Sequence, residues 1–288
     1  MSTVAMVNLG KSALGVTESC RLLGVSKSSY YDQMSRTPER ARRCRALVSR
    51  IRAVFEEHLG NYGSPRIHRT LQSQGIRVSC KRVASLMHEY QLVARRKRGF
   101  KPQKTDSNHK GPFAPNLLEQ DFSAEAQDQK WVGDITFVDT SEGWSYLAVI
   151  VDVFSRRVVG WATSDSPDAN LVVAALKNAK TMRRPPSGLI VHTDRGCQYA
   201  SKAYLAELKE MGAIASMSRT GNCYDNAMAE SFFSTLDFEL RRHWDFSSHR
   251  EATKVLANYI DNYYNRKRIH SSIDYMTPVA YEQAEAIN

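Results

Sequence analysis

Three acidic residues stand in positions where an apolar setting would ordinarily exclude a carboxylate. Asp134 lies inside the apolar run "WVGDITFV" (131–138), and Asp194 directly follows the apolar run "GLIVHT" (188–193). Glu230 belongs to "AESFFSTLDFEL" (229–240), where helical periodicity places it at one edge of the apolar stripe. A carboxylate so placed is costly unless it is paired or binds a cation.

Such carboxylates would repel one another if they converged without a cation, and hard oxygen ligands suit Mg²⁺ or Mn²⁺. Two such ions can activate a water or a 3′ hydroxyl and stabilise the leaving oxygen in an in-line displacement at phosphorus. The acids therefore predict cleavage or transfer at a phosphodiester. A turn acid in "TDRG" (193–196) explains Asp194 alone equally well, and Asp225 is better explained as a helix N-cap.

The elements that must position these acids change in type along the chain. Strand patterns cover 131–139, 145–153 and 158–163, and a hairpin turn joins the first two at 140–143. A helix, a buried strand, a second helix and a short strand follow, at 168–177, 188–193, 201–211 and 213–217. The helix that carries Glu230 comes next. This order predicts an α/β fold with a mixed sheet.

The chain is basic, and its charge is unevenly placed. The net charge is +10, but residues 1–115 hold 22 Lys and Arg against 7 Asp and Glu. Residues 116–288 hold 18 against 23. A basic first half joined to a mildly acidic second half indicates a module that binds a polyanion such as DNA.

Two segments of the basic half have the pattern of a helix-turn-helix unit, whose second helix presents polar and basic side chains to a DNA groove. In residues 18–31 and again in 62–87, a glycine ends one helix and a serine, Ser26 or Ser79, caps the next. A separate basic amphipathic helix is predicted for 39–59. Plain helical packing is the alternative. The DNA-binding residues predicted here are Lys27, Ser28, Arg66, Lys81 and Arg82.

Two basic clusters and one further arginine are also candidate phosphate contacts. The charged, Pro- and Gly-containing linker 94–112 is equally well explained as a solvated connection, and "NRKRIH" (265–270) as the complement of a helix C-terminus. The residues predicted to contact DNA are Arg95, Arg96, Lys97, Arg98, Arg241, Arg266, Lys267 and Arg268.

Several classes of protein are disfavoured by composition. The five cysteines are odd in number and widely spread, so neither a disulfide framework nor a zinc site is indicated. No apolar run approaches the roughly 20 residues of a membrane span. The first residues lack the pattern of a signal peptide. We therefore expect a cytoplasmic protein with no membrane partner.

Four stretches resemble a known family. They are "WVGDIT" (131–136), "HTDRGCQY" (192–199), "SRTGNCYDNAMAESFF" (218–233) and "NRKRIHSSIDYMTP" (265–278). They are similar to the DDE transposases encoded by the second reading frame (OrfB) of the insertion sequence 3 family, which are relatives of retroviral integrases. The resemblance runs from about Ser19 to the C-terminus, and 35 residues separate Asp194 from Glu230, which is the spacing of the family.

The resemblance implies an RNase H-like core, a mixed five-stranded sheet flanked by helices, preceded by an all-α helix-turn-helix region. The first and fourth strands of such a core lie side by side and bring Asp134 and Asp194 together, while Glu230 enters from a helix. The domains expected are a helical DNA-binding region (1–94), a basic linker (95–127), the catalytic core (128–242) and a C-terminal helix with a basic tail (243–288).

The resemblance also implies an activity. Asp134, Asp194 and Glu230 hold two Mg²⁺ or Mn²⁺ ions, water nicks the ends of the element, and the freed 3′ hydroxyl attacks a target phosphodiester. The partners implied are double-stranded DNA, further copies of the chain on that DNA, and the upstream reading-frame product, as a frameshift fusion. Supporting roles are expected for some of His192, Arg195, Gln198 and Asn226, with structural packing an equal alternative for His192 and Gln198.

One residue departs from the family pattern. Members usually carry Lys or Arg seven residues after the catalytic Glu, where this chain has Asp237, whose charge would oppose DNA phosphate. A catalytically impaired copy that binds element ends and represses transposition is therefore an alternative. An RNase H-like nuclease would share the fold and is a second alternative. A retroviral-type integrase is disfavoured because the N-terminal His/His/Cys/Cys arrangement is missing.

Overall fold

The computed structural model describes residues 3–95, 113–219 and 223–285. The predicted DNA-binding residues Arg96, Lys97 and Arg98 lie outside these ranges. The chain divides into two compact units, residues 1–95 and 96–288, and each is described by itself. No helix within the described ranges is long and apolar enough to cross a membrane.

The first unit is helical throughout the part that the structure describes. Its helices are α1 (Thr3–Leu22), α2 (Lys27–Glu57), α3 (Ser64–Ser73) and α4 (Cys80–Glu89). Both predicted serine caps are present: Ser26 accepts a hydrogen bond from the Ser29 N–H, and Ser79 accepts one from the Arg82 N–H. Buried aliphatic side chains hold α2, α3 and α4 together, among them Ile51, Val54, Ile67, Leu71, Val83 and Leu86.

The long helix α2 differs from the sequence prediction. A separate helix was expected at 39–59, but α2 runs from Lys27 to Glu57 with Pro38 inside it. A proline removes one backbone N–H and crowds the preceding turn, which costs about 3 kcal/mol. The hydrogen-bond ladder resumes beyond it, and the second half of α2 gains enough from burying Ile51 and Val54 to keep the helix continuous.

The second unit is built on a mixed five-stranded sheet. Its strands are β1 (Lys130–Thr140), β2 (Gly143–Asp152), β3 (Val158–Ser164), β4 (Ile190–Thr193) and β5 (Ile214–Met217). The strand order is β3-β2-β1-β4-β5, with β1, β2 and β3 antiparallel and with β4 and β5 parallel to β1. This is the topology of an RNase H-like core, so the predicted fold class is confirmed.

Side chains that alternate along the strands fill two separate cores. On one face the sheet packs against α5 (Ala169–Arg183) and α6 (Lys202–Glu210). On the other it packs against α7 (Ala227–Glu239) and α8 (His249–Ala257). Along β2, Ala148 and Ile150 belong to the first core, whereas Leu147 and Val149 belong to the second. The chain continues through a π-helical stretch, Asn258–Tyr264, and ends its described part with α9 (Pro278–Glu285).

A glycine on β3 allows α5 to approach the sheet closely. A Cβ on Gly160 would lie 2.6 Å from the Ala179 backbone nitrogen and would also collide with the Ala175 carbonyl oxygen. Because backbone atoms cannot swing aside, we expect Gly160→Ala to lower the free energy of unfolding by about 1–3 kcal/mol or more. Denaturant unfolding measures this change.

A matched glycine serves as the control for that substitution. A Cβ on Gly133 would meet mainly the Ile150 Cδ1, at 3.0 Å, which is the movable end of a side chain. Gly133→Ala should therefore cost less than Gly160→Ala. Equal losses of stability in the two variants would contradict the close approach of α5.

Candidate active site

The register of the sheet places Asp134 and Asp194 beside each other. β1 and β4 are parallel, and Val132 pairs with His192. Two residues further along both strands lie Asp134 and Asp194, so their side chains emerge on the same face. Neighbouring strands are roughly 4.8 Å apart. Asp194 lies one residue beyond the end of β4, where its Oδ1 accepts a hydrogen bond from the Gly196 N–H at 2.9 Å.

Helix α7 carries Glu230 onto that same face. Its side chains Phe232, Phe233 and Leu236 pack in the core that also contains Val132 of β1. At the start of the helix, the Asn226 Nδ2 lies 3.4 Å from the Gly133 carbonyl oxygen, next to Asp134. Glu230 follows one helical turn later and is half-buried, so the helix presents it towards the pair of aspartates.

The electrostatics of the site show an excess of negative charge. Desolvation raises the pKa of Asp134 well above its usual value, and the charges of Asp194 and Glu230 raise it further. Burial also raises the pKa of Glu230. Within the described residues, the Asp134 carboxylate accepts a hydrogen bond from the Ile135 N–H and forms no ion pair, and Glu230 forms neither. Asp134 and Glu230 therefore lie in the site without a cationic side chain to neutralise them among the described residues.

This donor set has the chemistry of a divalent-cation site. Three carboxylates supply only hard oxygen ligands, and a bound cation would offset the repulsion that raises the pKa of Asp134. Among the residues that the structure describes, no group of three or more His, Cys, Asp and Glu side chains is gathered tightly enough to hold a metal as it stands. The fit with Mg²⁺ or Mn²⁺ therefore rests on the type of ligand and on the repulsion that Asp194 and Glu230 exert on Asp134.

Two motif residues beside the acids have structural partners. His192 is fully buried, with Nδ1 2.8 Å from the Ser216 Oγ and Nε2 3.1 Å from the Ser218 Oγ. Burial lowers the pKa of His192 to about 4, so the ring is neutral at pH 7 and adds no charge to the site. Gln198 donates a hydrogen bond to the Pro167 carbonyl. Packing roles, which the sequence left as an equal alternative for both residues, agree with these contacts.

The predicted DNA-binding residues occupy different environments. On the first unit, Lys27, Ser28, Lys81, Arg82 and Arg95 are exposed, and the guanidinium of Arg66 lies over the Tyr62 ring at 5.4 Å. On the second unit, Arg266 and Lys267 are exposed. Arg241 donates from Nη1 to the Thr136 Oγ1, at 3.2 Å, on the sheet face that carries Asp134.

Arg268 requires a correction. The sequence predicted that it contacts DNA, but its side chain is buried and its Nε lies 2.9 Å from both carboxylate oxygens of Glu239. Tyr259 donates a hydrogen bond to the same carboxylate. The guanidinium of Arg268 therefore forms a buried ion pair with α7. The two neighbours of Arg268 in the basic cluster face solvent, and the arginine itself faces the core.

The hydrogen bonds of Asp225 differ from those that the sequence predicted. It was expected to cap α7, but Asn226 holds the N-cap position without a side-chain cap bond, and Asp225 lies in the preceding 3₁₀ turn. Its buried carboxylate accepts hydrogen bonds from Asn116, Gln120 and Arg219 instead. Two of these donors are more than a hundred residues away, so no local pattern could have indicated them.

Comparisons with protein families agree with this architecture. Models of the integrase core domain match residues 124–223 and 211–278, and a model of an HTH-like domain matches residues 42–100. Solved structures with a similar course of the chain include a simian T-cell lymphotropic virus intasome, with a TM-score of 0.48 and 15% identity, covering 81% of this chain and 74% of that one. Another is the HTLV-2 integrase catalytic core domain in complex with magnesium, with a TM-score of 0.44 and 16% identity. That match covers 56% of this chain and 99% of the integrase chain.

Sequence relatives match over nearly the whole chain. The transposase for insertion sequence element IS904 of Lactococcus lactis is 44% identical over 253 residues, which cover 87% of this chain and 99% of the relative. Transposase InsF for insertion sequence IS3A of Escherichia coli (strain K12) is 40% identical over 266 residues, which cover 91% of this chain and 92% of that relative. The chain therefore belongs to the transposases of the insertion sequence 3 family, and it is an enzyme of the polynucleotidyl transferase class.

Proposed function

We propose that this transposase binds the ends of its insertion sequence and catalyses divalent-metal-dependent cleavage and transfer of DNA strands. The observation that carries the proposal is that Asp134 on β1 and Asp194 just after the parallel strand β4 each lie two residues beyond the paired residues Val132 and His192. Glu230 lies on a helix that packs on the same face. Besides desolvation, the charges of Asp194 and Glu230 raise the pKa of Asp134, which supports a cluster of three acids.

In this mechanism Asp134, Asp194 and Glu230 are the metal ligands and the catalytic residues. Two Mg²⁺ or Mn²⁺ ions, when bound, supply activation of the attacking oxygen and stabilisation of the leaving oxygen. The chain itself orients the ligands: the Ile135 N–H holds the Asp134 carboxylate at 2.8 Å, and the Gly196 N–H holds that of Asp194. The hydroxyl of Thr136 keeps Arg241 on the same face, where its positive charge can attract a DNA phosphate.

The remaining parts of the proposal concern DNA, partners and domains. The N-terminal residues 1–94 bind double-stranded DNA, and the basic linker 95–127 adds phosphate contacts from Arg95, Arg96, Lys97 and Arg98. Residues 128–242 cut the DNA, and residues 243–288 pack on that core. Exposed Arg266 and Lys267 contact phosphates. Copies of the chain assemble on the two element ends, and the upstream reading-frame product joins them as a frameshift fusion. The enzyme acts on chromosomal DNA in the bacterial cytoplasm.

Helix α4 provides a direct test of DNA binding by the first unit. Lys81 and Arg82 are exposed in its first turn. Replacing both by Ala removes two phosphate contacts, so the slope of log K against log salt should become shallower by about 1.8. A filter-binding titration at several salt concentrations measures this slope. Gln74→Ala, an exposed change that removes no charge, should leave the slope unaltered, and an unchanged slope in the double variant would exclude α4 from the interface.

The function itself is tested with purified protein, a labelled element end, target DNA, and Mg²⁺ or Mn²⁺. Nicked ends and joined products, both lost on addition of EDTA, are the expected result. Binding of the end without cleavage would instead identify an impaired copy, and recovery of cleavage by Asp237→Lys would identify the acidic residue on α7 as the cause. Cutting of RNA–DNA hybrids without end specificity would identify a nuclease.

A further inference from the structure

The segment that precedes β1 lies against β5 and the turn that contains Asp225. We define this segment, residues 113–120, as the strap. The Leu117 N–H donates to the Ser216 Oγ at 2.9 Å, and the Met217 N–H donates to the Pro115 carbonyl, so the strap runs along β5. Leu118 is buried in the same core as helix α7. The strap is therefore packed into the unit on the side that carries the acids.

Asp225 joins the strap to the catalytic helix. Its carboxylate is fully buried and accepts from Asn116 Nδ2 at 3.0 Å and from Gln120 Nε2 at 3.1 Å, both on the strap. The same carboxylate accepts from Arg219 through the backbone N–H at 2.8 Å and the guanidinium at 3.0 and 3.1 Å. One side chain thus gathers donors from two separate parts of the chain.

The place of Asp225 along the chain connects these contacts to catalysis. The next residue, Asn226, lies at the start of α7 and reaches the Gly133 carbonyl beside Asp134. Glu230 follows five residues after Asp225, within the first turns of the same helix. Five donors bind the buried carboxylate of Asp225, and these hydrogen bonds restrain the backbone at that residue. The start of α7, one residue later, is therefore held in place.

We propose that Asp225 is a positioning residue of this transposase, whose carboxylate fixes the start of α7 between the strap and Arg219 and so sets Glu230 against Asp134 and Asp194. This inference rests on the proposed function, because it concerns the placement of the three acids as metal ligands. The carboxylate of Asp225 is hydrogen-bonded to Asn116, Gln120 and Arg219. It acts through the helix and contacts neither DNA nor the ions.

The test compares Asp225→Asn with Asp121→Asn. The first change keeps the size of the side chain and removes half of its acceptor capacity, so it creates no cavity. Asp121 is a matched control, because it is exposed and its carboxylate accepts hydrogen bonds from Lys130 and Ser123, which lie outside α7 and the turn before it. Mn²⁺ binding is measured by electron paramagnetic resonance of the free ion, and the single-turnover cleavage rate is measured at saturating metal.

For Asp225→Asn we expect Mn²⁺ affinity and the cleavage rate each to fall by up to roughly 10–100-fold, the range found when a group that orients a metal ligand is removed. Binding of the labelled element end should stay near that of the parent protein. The melting temperature should fall, because buried donors lose an acceptor, so the Mn²⁺ affinity is measured well below the melting transition. Asp121→Asn should match the parent in all four measurements. A purely structural role for Asp225 would lower the melting temperature and leave Mn²⁺ affinity of the folded protein unchanged, which would overturn the proposal.

Three further outcomes are decided by the same measurements. If Asp225→Asn does not fold, Gln120→Ala is the second variant. Gln120 is an exposed residue of the strap, and the change removes its hydrogen bond to Asp225, so Mn²⁺ binding should still be weakened. A parent protein that binds Mn²⁺ but does not cleave DNA would refute the proposed function. The Mn²⁺ affinities of the parent and of Asp225→Asn would then still test the role of Asp225. A parent that neither binds Mn²⁺ nor cleaves would overturn both proposals.

Discussion

Replacing Asp134, Asp194 or Glu230 by the corresponding amide should lower the rate of DNA strand cleavage by about 10³-fold or more in each case. Bound divalent ions supply several kcal/mol of transition-state stabilisation, and each 1.4 kcal/mol or so corresponds to a factor of ten in rate. An amide keeps the shape of the carboxylate but removes its charge. The acids also repel one another, which raises the pKa of Asp134, so the amides should leave the fold as stable as before or more stable.

Single-turnover cleavage of a labelled element end, with binding measured in parallel, checks this expectation. Binding by the first unit should persist in all three variants. Asp139→Asn is the matched control, because Asp139 lies on the same strand as Asp134 but is exposed. Cleavage that survives in any of the three amide variants would remove that residue from the ligand set. An equal loss in Asp139→Asn would show that the strand, and not the site, had been disturbed.

Local patterns in the sequence were enough to predict most of the fold. The alternation of apolar residues along β1 and β2, and the continuous apolar run of β4, predicted strands that the structure confirms at those places along the chain. The caps at Ser26 and Ser79 were predictable because an N-cap depends on residues only three positions apart. The side-by-side placement of β1 and β4 came from the family resemblance and not from periodicity.

Long-range pairs were not predictable in the same way. Arg268 looked like part of a solvent-facing basic cluster, since its partner Glu239 lies 29 residues earlier and on another helix. The carboxylate of Asp225 looked like a helix cap for the same reason, because its strap partners are more than a hundred residues away. The continuity of α2 through Pro38 depends on tertiary packing that outweighs a local helix-breaking signal.

Helix α7 is held by buried polar contacts on both sides of Glu230. Asp225 fixes the turn before α7, and Glu239 ends the helix in a buried ion pair with Arg268. Glu239 is 3% exposed and Arg268 is 5% exposed, so neither charge is solvated. The hydroxyl of Tyr259 donates to Glu239 at 2.9 Å, and the His270 ring lies within hydrogen-bond distance of the Arg268 guanidinium. This second anchor attaches α7 to the C-terminal segment that follows α8.

Replacing Glu239 by Gln should therefore lower the free energy of unfolding of the second unit by about 3–5 kcal/mol, because it leaves the Arg268 guanidinium buried without a counter-charge. All four tryptophans lie in that unit, so their fluorescence during denaturant unfolding reports its stability. Glu239→Leu combined with Arg268→Met removes both charges and should recover most of the loss. The exposed neighbour gives the control, since Arg266→Ala should change stability by no more than about 0.5 kcal/mol. A Glu239→Gln variant as stable as the parent would show that Arg268 reaches solvent and that the pair does not anchor α7.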